Sequence, residues 1–446
     1  NIPTYLYEYS AKKKYRSNLA QIREGEYEGL KNKVKNPKWK PDFGPTEFNK
    51  FKKSGATAIG ARDFLIAYNI NLNTTSTRRA NAIAFDIREK GRIARKNNSL
   101  TGEIIKDKDG NTVWKPGTLK HVKAIGWFIE EYGVCQISMN LTNIQKTPIH
   151  IVFDEVCKAA EKRGVRVTGS ELVGLIPLKS MLDAGKYFLK KQKRSTGISE
   201  DEIIKIAQKT MGLDEICEFD ANEKIIEYKI KEHKNSLCDL SLTQFLQETG
   251  SESPAPGGGS ISAYIGALGA ALTTMVANLS SHKRGWDEKW EKFSILAEKG
   301  QTYISNLENM VDEDTNAFNA IIDAFRLNEN NQEEKKIKER AIEQATLNAI
   351  NIPIQVMETS LELMDLIEEM VEIGNPNSIS DVGVAGLCAR SAVLGAYLNV
   401  IINAKDYTKQ KEKNKIILHA ETLKQKAIKK EKDIIEKTIK GIRNSS

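Results

Sequence analysis

From residue 241 onward the chain offers few strand candidates, and one stretch there, 261–280, runs twenty residues without a charge. A run of that length either crosses a membrane or is buried inside a helical assembly. Its composition favours burial. Ala, Gly, Ser and Thr dominate, and large apolar side chains are few. Small residues on all sides suit a tightly packed helix, at a subunit interface or within one subunit, so no membrane insertion is expected. The last stretch, 405–443, is a Lys/Glu-rich amphipathic helix with Ile416, Leu423, Ile434 and Ile435 on one stripe.

The first half has a different period. Residues 1–58 hold a strand fragment at 4–9 and then a polar stretch rich in Lys and Pro. Residues 64–72 are rich in β-formers, and 77–90 place Ala80, Ile83, Ala84 and Ile87 at helical spacing. Strands at 121–129 and 134–141 flank a Glu-Glu-Tyr-Gly turn. A helix over 148–162 turns Ile151, Val152, Val156 and Ala159 or Ala160 inward, and 165–167 opens another strand. The order β-α-β-β-α-β is that of a split βαβ, or ferredoxin-like, subdomain. A polar excursion over 93–118 interrupts it, with a hairpin signal at Asp109-Gly110. Helices and a short closing strand at 224–229 follow. The expected fold class is α+β then all-α: a ferredoxin-like subdomain followed by a helical bundle. The expected divisions are 1–61, 62–230, a polar linker at 231–240, and 241–446.

Bulk properties narrow the function. A chain of 446 residues with 40% hydrophobic and 28% charged residues can fill real cores and is not globally disordered. Its five cysteines, Cys135, Cys157, Cys217, Cys238 and Cys388, have neither metal-ligand nor redox spacing, which fits a reduced, cytoplasmic protein. The histidines at 121, 150, 233, 282 and 419 show no HxxxH or HExxH pattern, so no metal is expected. The net charge of +8 reads either as a Lys-rich solvated surface or as a field for a small polyanion. No zinc finger, RNP-type aromatic motif or helix-turn-helix is present, and no nucleic-acid partner is expected.

Three places could carry chemistry. Pro256-Gly257-Gly258-Gly259-Ser260 stands directly before the uncharged helix. Its glycines could let the amides at the helix start face an anion, or could simply admit the chain to the helix. Around Asp312-Glu313-Asp314, apolar residues at 303/304, 307, 310/311, 317/318, 321/322 and 325 form a stripe whose missing step is position 314. Asp314 should therefore point inward, with Asp312 about 200° away on the polar face. An inward carboxylate is either paired structurally or used, with its pKa raised towards proton-transfer chemistry. The third place is Gly374-Asn375-Pro376-Asn377-Ser378-Ile379-Ser380-Asp381: a helix stop, then Ser380 or Asp381 as a cap or as part of a polar loop facing a cleft. Asn399 and Asn403 share a face of the helix beyond it and want partners, a ligand being one option.

These residues resemble the bifunctional formiminotransferase-cyclodeaminases of histidine breakdown over nearly the whole chain. The matching stretches are Asp42-Phe43-Gly44-Pro45, Gly60-Ala61-Arg62 through Asn69-Ile70-Asn71-Leu72, Ile125-Gly126-Trp127, and Gly169-Ser170-Glu171-Leu172-Val173-Gly174-Leu175-Ile176-Pro177-Leu178. In the second half they are Pro256 to Ser260, Asp312-Glu313-Asp314, Ser380-Asp381 and Gly395-Ala396-Tyr397-Leu398-Asn399-Val400. The resemblance implies formimino transfer from N-formimino-L-glutamate to tetrahydrofolate, then cyclisation of 5-formiminotetrahydrofolate to 5,10-methenyltetrahydrofolate with release of ammonia. It implies polyglutamylated tetrahydrofolate as co-substrate, a helical dimerising cyclodeaminase half, and a homodimer or higher homo-oligomer.

By the same resemblance Asp314 is the cyclodeaminase acid/base, and the stretch from Gly44 and Pro45 to Gly55 is the transferase folate loop, here with an insertion carrying Lys50, Lys52 and Lys53. Gly257, Gly258, Gly259, Ser260, Asp381 and Asn399 are further substrate-binding candidates. The resemblance also suggests that the chain lacks most of the N-terminal transferase subdomain, with its catalytic histidine, and so cannot transfer the formimino group. Rival readings are a methenyltetrahydrofolate cyclohydrolase and a non-catalytic folate-binding helical dimer.

Overall fold

The computed structural model describes residues 2–98, 101–231 and 236–444. Residues 232–235 of the expected 231–240 linker, with His233, lie outside the described residues. The chain forms two compact units, Asn1–Gly174 and Leu175–Ser446.

The first unit begins with β1 (Thr4–Glu8), α1 (Leu19–Arg23), α2 (Glu26–Lys33) and β2 (Thr57–Ala61), the strands pairing in parallel. Tyr5, Ile22, Leu30, Val34 and Phe51 form the core of this part. Beside it Arg16, 1% exposed, pairs with Asp42 at 3.0 Å and donates to the carbonyls of Lys38 and Lys40. The Asp42 carboxylate answers the charge of this buried guanidinium and its two terminal nitrogens are hydrogen-bonded, while Nε is left without a partner.

The chain continues through β3 (Ile66–Leu72), α3 (Thr77–Ile87), β4 (Arg92–Ile93), β5 (Trp114–Lys115), β6 (Val122–Ile129), β7 (Val134–Leu141), α4 (Ile149–Glu161) and β8 (Val167–Leu172). Four strands make a sheet in the order β6-β7-β3-β8, every neighbouring pair antiparallel. The two faces follow from strand alternation. Tyr68, Ile70, Leu72, Ile137 and Leu141 are fully buried on the face that takes Ala80, Ile83, Ala84 and Ile87 of α3. Gly126 is needed there, since a Cβ would stand 2.4 Å from the backbone of Ala80. On α4 Phe153 is buried, whereas Ile151, expected inward, is half-buried. The polar excursion is the β4–β5 hairpin, with Gly110 at φ 81° in its turn.

The second unit holds α5 (Leu178–Lys191), α6 (Glu200–Met211), α7 (Ala221–Lys224), α8 (Ile226–Ile230), α9 (Leu242–Thr249), α10 (Gly258–Ser281), α11 (Trp290–Phe325), α12 (Gln332–Ile373), α13 (Ile379–Asn403) and α14 (Gln410–Asn444). The chain is thus a mixed α/β region followed by an all-helical one. The strand expected at 224–229 is helical instead. Asp220 caps a short turn, and Ile225 alone is extended, bridging to Ile176. β-branched side chains there fill a core without building a ladder.

Helix α10 packs against α11 and α13, α12 joins those two, and α14 covers α12 and α13. The uncharged helix is arranged small side in. Ala263, Gly266, Ala267, Gly269, Ala270, Thr273, Thr274 and Ala277 are buried, while Leu268, Met275 and Leu279 are exposed. Buried Thr273, Thr274 and Ser280 return their hydroxyls to carbonyls one turn back, at 2.7–2.8 Å.

Two other contacts organise this unit. Ser195 and Thr196, between α5 and α6, are 1% exposed. Both the backbone N–H and the hydroxyl of Thr196 meet Ser294 Oγ at 2.9 Å, and the Gly197 carbonyl accepts from Asn278 and Gln301. In α12, Pro353 has no N–H to give the Ala349 carbonyl one turn back. Asn403 Nδ2 donates to that carbonyl at 2.7 Å instead.

Candidate active site

Helix α10 starts at Gly258 with Gly257 as its N-cap, and the cap contributes no side chain. The first amides of a helix lack intrahelical acceptors and carry its positive end. Asp314, in the middle of α11, faces them. Ser260 Oγ donates to Asp314 Oδ2 at 3.0 Å, and the Ser260 backbone N–H donates to the same carboxylate. Thr315 Oγ1 stands 3.3 Å from Ser260 Oγ. A Cβ on Gly259 would lie 2.1 Å from Asp314 Oδ1, so only glycine admits the carboxylate to this place.

The third wall is α13. Gly395 leaves room for Ser262, whose hydroxyl donates to the Gly258 carbonyl at 2.6 Å. Asn399 Nδ2 would be 3.2 Å from a Gly258 Cβ and donates to the Gly395 carbonyl at 3.0 Å. Gly259 and Ser260 are buried while Gly258 is exposed, so the helix start is covered where it meets Asp314 and open to solvent at its first residue.

Burial pushes the Asp314 carboxyl above the ordinary aspartate range, and the two Ser260 hydrogen bonds pull part of the way back. The arrangement is a half-buried carboxyl held between donors at a helix N-terminus. It can accept a proton and return it without moving.

The structure brings Gly257, Gly258, Gly259, Ser260, Asp314 and Asn399 together. It does not bring in Asp381, which lies in the first turn of α13. Eighteen residues separate it from Asn399, about 27 Å along a helix. Neither Ser380 nor Asp381 caps α13: Asn375 caps the turn at Pro376–Ser378, and Ser378, at the N-cap position of α13, makes no side-chain capping bond. Asn403 is taken by the Ala349 carbonyl. Asp312 is not a solvated acid. It accepts from the Leu237 N–H at 2.8 Å and from the Ser236 hydroxyl. The apolar stripe of α11 continues through Ala317 and Ala324, leaving Phe318 and Phe325 exposed.

In the first unit Gly44 has φ 86°, and a Cβ there would meet the Ile2 carbonyl at 2.5 Å, which gives that glycine a structural reason. Pro45 follows it half-buried, and Gly55, at φ 68°, closes the loop carrying the exposed Lys50, Lys52 and Lys53. A separate cavity of about 780 Å³ lies beside α3, α4 and the β4–β5 hairpin. Seven Arg and Lys side chains line it against two carboxylates; Arg92 and Arg163 share Asp86. Thr315 was not singled out from the sequence, although its place one residue after Asp314 could have marked it. Among the described residues no group of His, Cys, Asp and Glu could hold a metal ion.

Models of known families match most of the chain: "Formiminotransferase domain, N-terminal subdomain" over residues 1–62, "Formiminotransferase domain" over 67–231, and "Formiminotransferase-cyclodeaminase" over 241–422. A formimidoyltransferase-cyclodeaminase of Mus musculus is 38% identical over 429 residues, covering 96% of this chain and 75% of its own. The chain belongs to the formimidoyltransferase-cyclodeaminase family. Because residues 1–62 match the N-terminal subdomain, the expectation that this subdomain is lacking is not borne out.

Family membership places Asp314 and the glycine turn in the cyclodeaminase region and the four-stranded sheet in the transferase region. A methenyltetrahydrofolate cyclohydrolase of Methylorubrum extorquens is 38% identical over 165 residues, 37% of this chain and 79% of its own. A solved formiminotetrahydrofolate cyclodeaminase of Thermotoga maritima is similar at 22% identity and a TM-score of 0.40, over 47% of this chain and 98% of its own.

Proposed function

We propose that this chain is a two-step, folate-dependent enzyme of histidine degradation. It transfers the formimino group of N-formimino-L-glutamate to tetrahydrofolate and cyclises 5-formiminotetrahydrofolate to 5,10-methenyltetrahydrofolate, releasing ammonia. The observation that carries the second step is the Asp314 carboxyl held by Ser260 at the start of α10. In that step N10 of the folate attacks the formimino carbon. Asp314 takes the proton from N10 and hands it to the amino group, which leaves as ammonia; the positive charge of the amidinium ends on the methenyl product. A raised pKa suits a carboxyl that must act first as base and then as acid.

The test supplies 5-formiminotetrahydrofolate and follows methenyltetrahydrofolate absorbance and ammonia together. Their appearance in equal amounts supports cyclodeamination; absence of both from folded chain overturns it. Similarity to a methenyltetrahydrofolate cyclohydrolase favours one second reading, hydrolysis of the methenyl product. Loss of methenyl absorbance without ammonia would support that reading instead.

The sheet order β6-β7-β3-β8, with helices between first and second and between third and fourth strands, supports a ferredoxin-like transferase subdomain. A Lys-rich chain of net charge +8 suits polyglutamylated tetrahydrofolate. No metal is required by the proton transfer, and five cysteines with neither metal-ligand nor redox spacing suit a cytoplasmic protein.

A homo-oligomer is supported by two helices. Gly258–Ser281 and Pro376–Asp406 are long and apolar enough to cross a membrane. Each keeps large apolar residues exposed on one side: Leu268, Met275 and Leu279 on α10; Val384, Leu387 and Leu398 on α13, with Leu272 and Leu394 half-buried between them. Two adjacent stripes meeting a second copy would make a four-helix contact, which answers the apolar surface without a membrane. Leu398→Glu is expected to halve the mass measured by sedimentation. An unchanged mass counts against this face.

A further inference from the structure

Asn69 and Asn71 lie two residues apart on β3 and so share the face of the sheet opposite α3 and α4. The register sets Gln136 of β7 against Asn71 and Glu171 of β8 against Asn69. This polar row is buried: Asn69 is 7% exposed, Asn71 0% and Gln136 1%. Gln136 Nε2 donates to Asn71 Oδ1 at 2.8 Å and to Glu171 Oε2 at 3.2 Å, and Asn69 Nδ2 donates to the same Oε2 at 3.1 Å. Two amides thus hold one carboxylate in a fixed direction. The other atom of the Asn69 amide, Oδ1, is buried with no hydrogen-bond partner. It is an acceptor standing beside an anionic acceptor, and nothing on the sheet supplies a donor to it. Trp127, opposite Gln136 in register and half exposed, adds a flat apolar wall to the same face.

We propose that Asn69 Oδ1 and Glu171 bind an amidine-type edge, a carbon flanked by two N–H-bearing nitrogens, on a substrate of the transferase half. The pairing is chemical: two neighbouring acceptors, one of them charged, match two neighbouring donors, and a cationic edge gains most from the carboxylate. This inference rests on the proposed transferase activity, which supplies two sources of such an edge. One is the formimino group of N-formimino-L-glutamate, cationic at neutral pH. The other is the aminopyrimidine edge of the tetrahydrofolate ring.

Calorimetric titration of the whole chain with each compound separately tests it, with tetrahydrofolate sites counted by stoichiometry. The variants are Glu171→Gln, which keeps the shape and removes the charge, and Asn69→Ala, with thermal melting to confirm folding. The expected result is at least a tenfold loss of affinity for one compound in both folded variants, with the other within twofold; the compound affected names the source. Affinities within twofold for both compounds, or equal losses for both, overturn the proposal. A wild-type chain that binds neither compound removes the transferase reading as well, whereas binding that the variants leave untouched removes this site alone.

Discussion

Gly259 and Asp314 fit together only because position 259 has no side chain: a Cβ there would stand 2.1 Å from Asp314 Oδ1. A single methyl group there must displace the carboxyl or the helix start. Overpacking of this kind costs about 1–3 kcal/mol. Gly259→Ala is expected to lower the melting temperature and to abolish most methenyltetrahydrofolate formation while leaving the transferase half intact. Normal turnover in that variant would mean that Asp314 is not used where it stands.

Two aspartates two residues apart should separate cleanly. Asp314→Asn keeps the shape of the site and removes the proton acceptor, and a fall in kcat of roughly 10²–10⁴ is expected. Asp312 is engaged with the backbone at Leu237. Asp312→Asn should cost stability of about 1–3 kcal/mol with kcat within a few-fold of wild type. Denaturant unfolding and steady-state kinetics on both variants check the contrast.

The acid limb of the pH–rate profile should report Asp314. Its carboxylate is the working base, and burial raises its pKa, so the limb is expected above the ordinary aspartate range. Ser260→Ala removes a hydrogen bond that stabilises the charged form, and should move the limb further up. Stability has the matching sign. The folded chain holds this proton more tightly than the unfolded chain, so the contribution is full below the unfolded pKa and is lost as pH rises through the folded one. That slope should vanish in Asp314→Asn.

Asn403 and Pro353 should be coupled. Asn403→Ala leaves the buried end of Ala349 without a donor and is expected to cost about 1–3 kcal/mol. In a Pro353→Ala background the helix can supply its own N–H, and the cost of Asn403→Ala should shrink. Additive effects in the double-mutant cycle would show that the two do not act on the same carbonyl.

What could be read in advance followed local periodicity. The four inward residues of α3 are all fully buried, and the gap in the α11 stripe at 314 led to the one carboxyl between the Ser260 donors. Where one period left two choices, reading it was less secure. Ala317 rather than Phe318 takes the inner position of α11, and at the last step Ala324 is inside in place of the expected Phe325. The strand expected at 224–229 failed because β-branched residues there answer to packing and an Asp220 cap. Non-local partners left no local mark. Asn403 looked like a ligand residue until Pro353 stood across from it, and the Asn69, Gln136 and Glu171 row exists only once three strands are in register.

The fastening of Thr196 and Gly197 to α10 and α11 bears on how such a chain can be dissected. A gene cut at 231–240 follows the family borders yet strips Ser294, Asn278 and Gln301 of their partners, whereas a cut after Gly174 keeps them. Modules exchanged over evolutionary time and units that melt together need not end at the same residue. Here α5 and α6 match one half by descent and cohere with the other by contact.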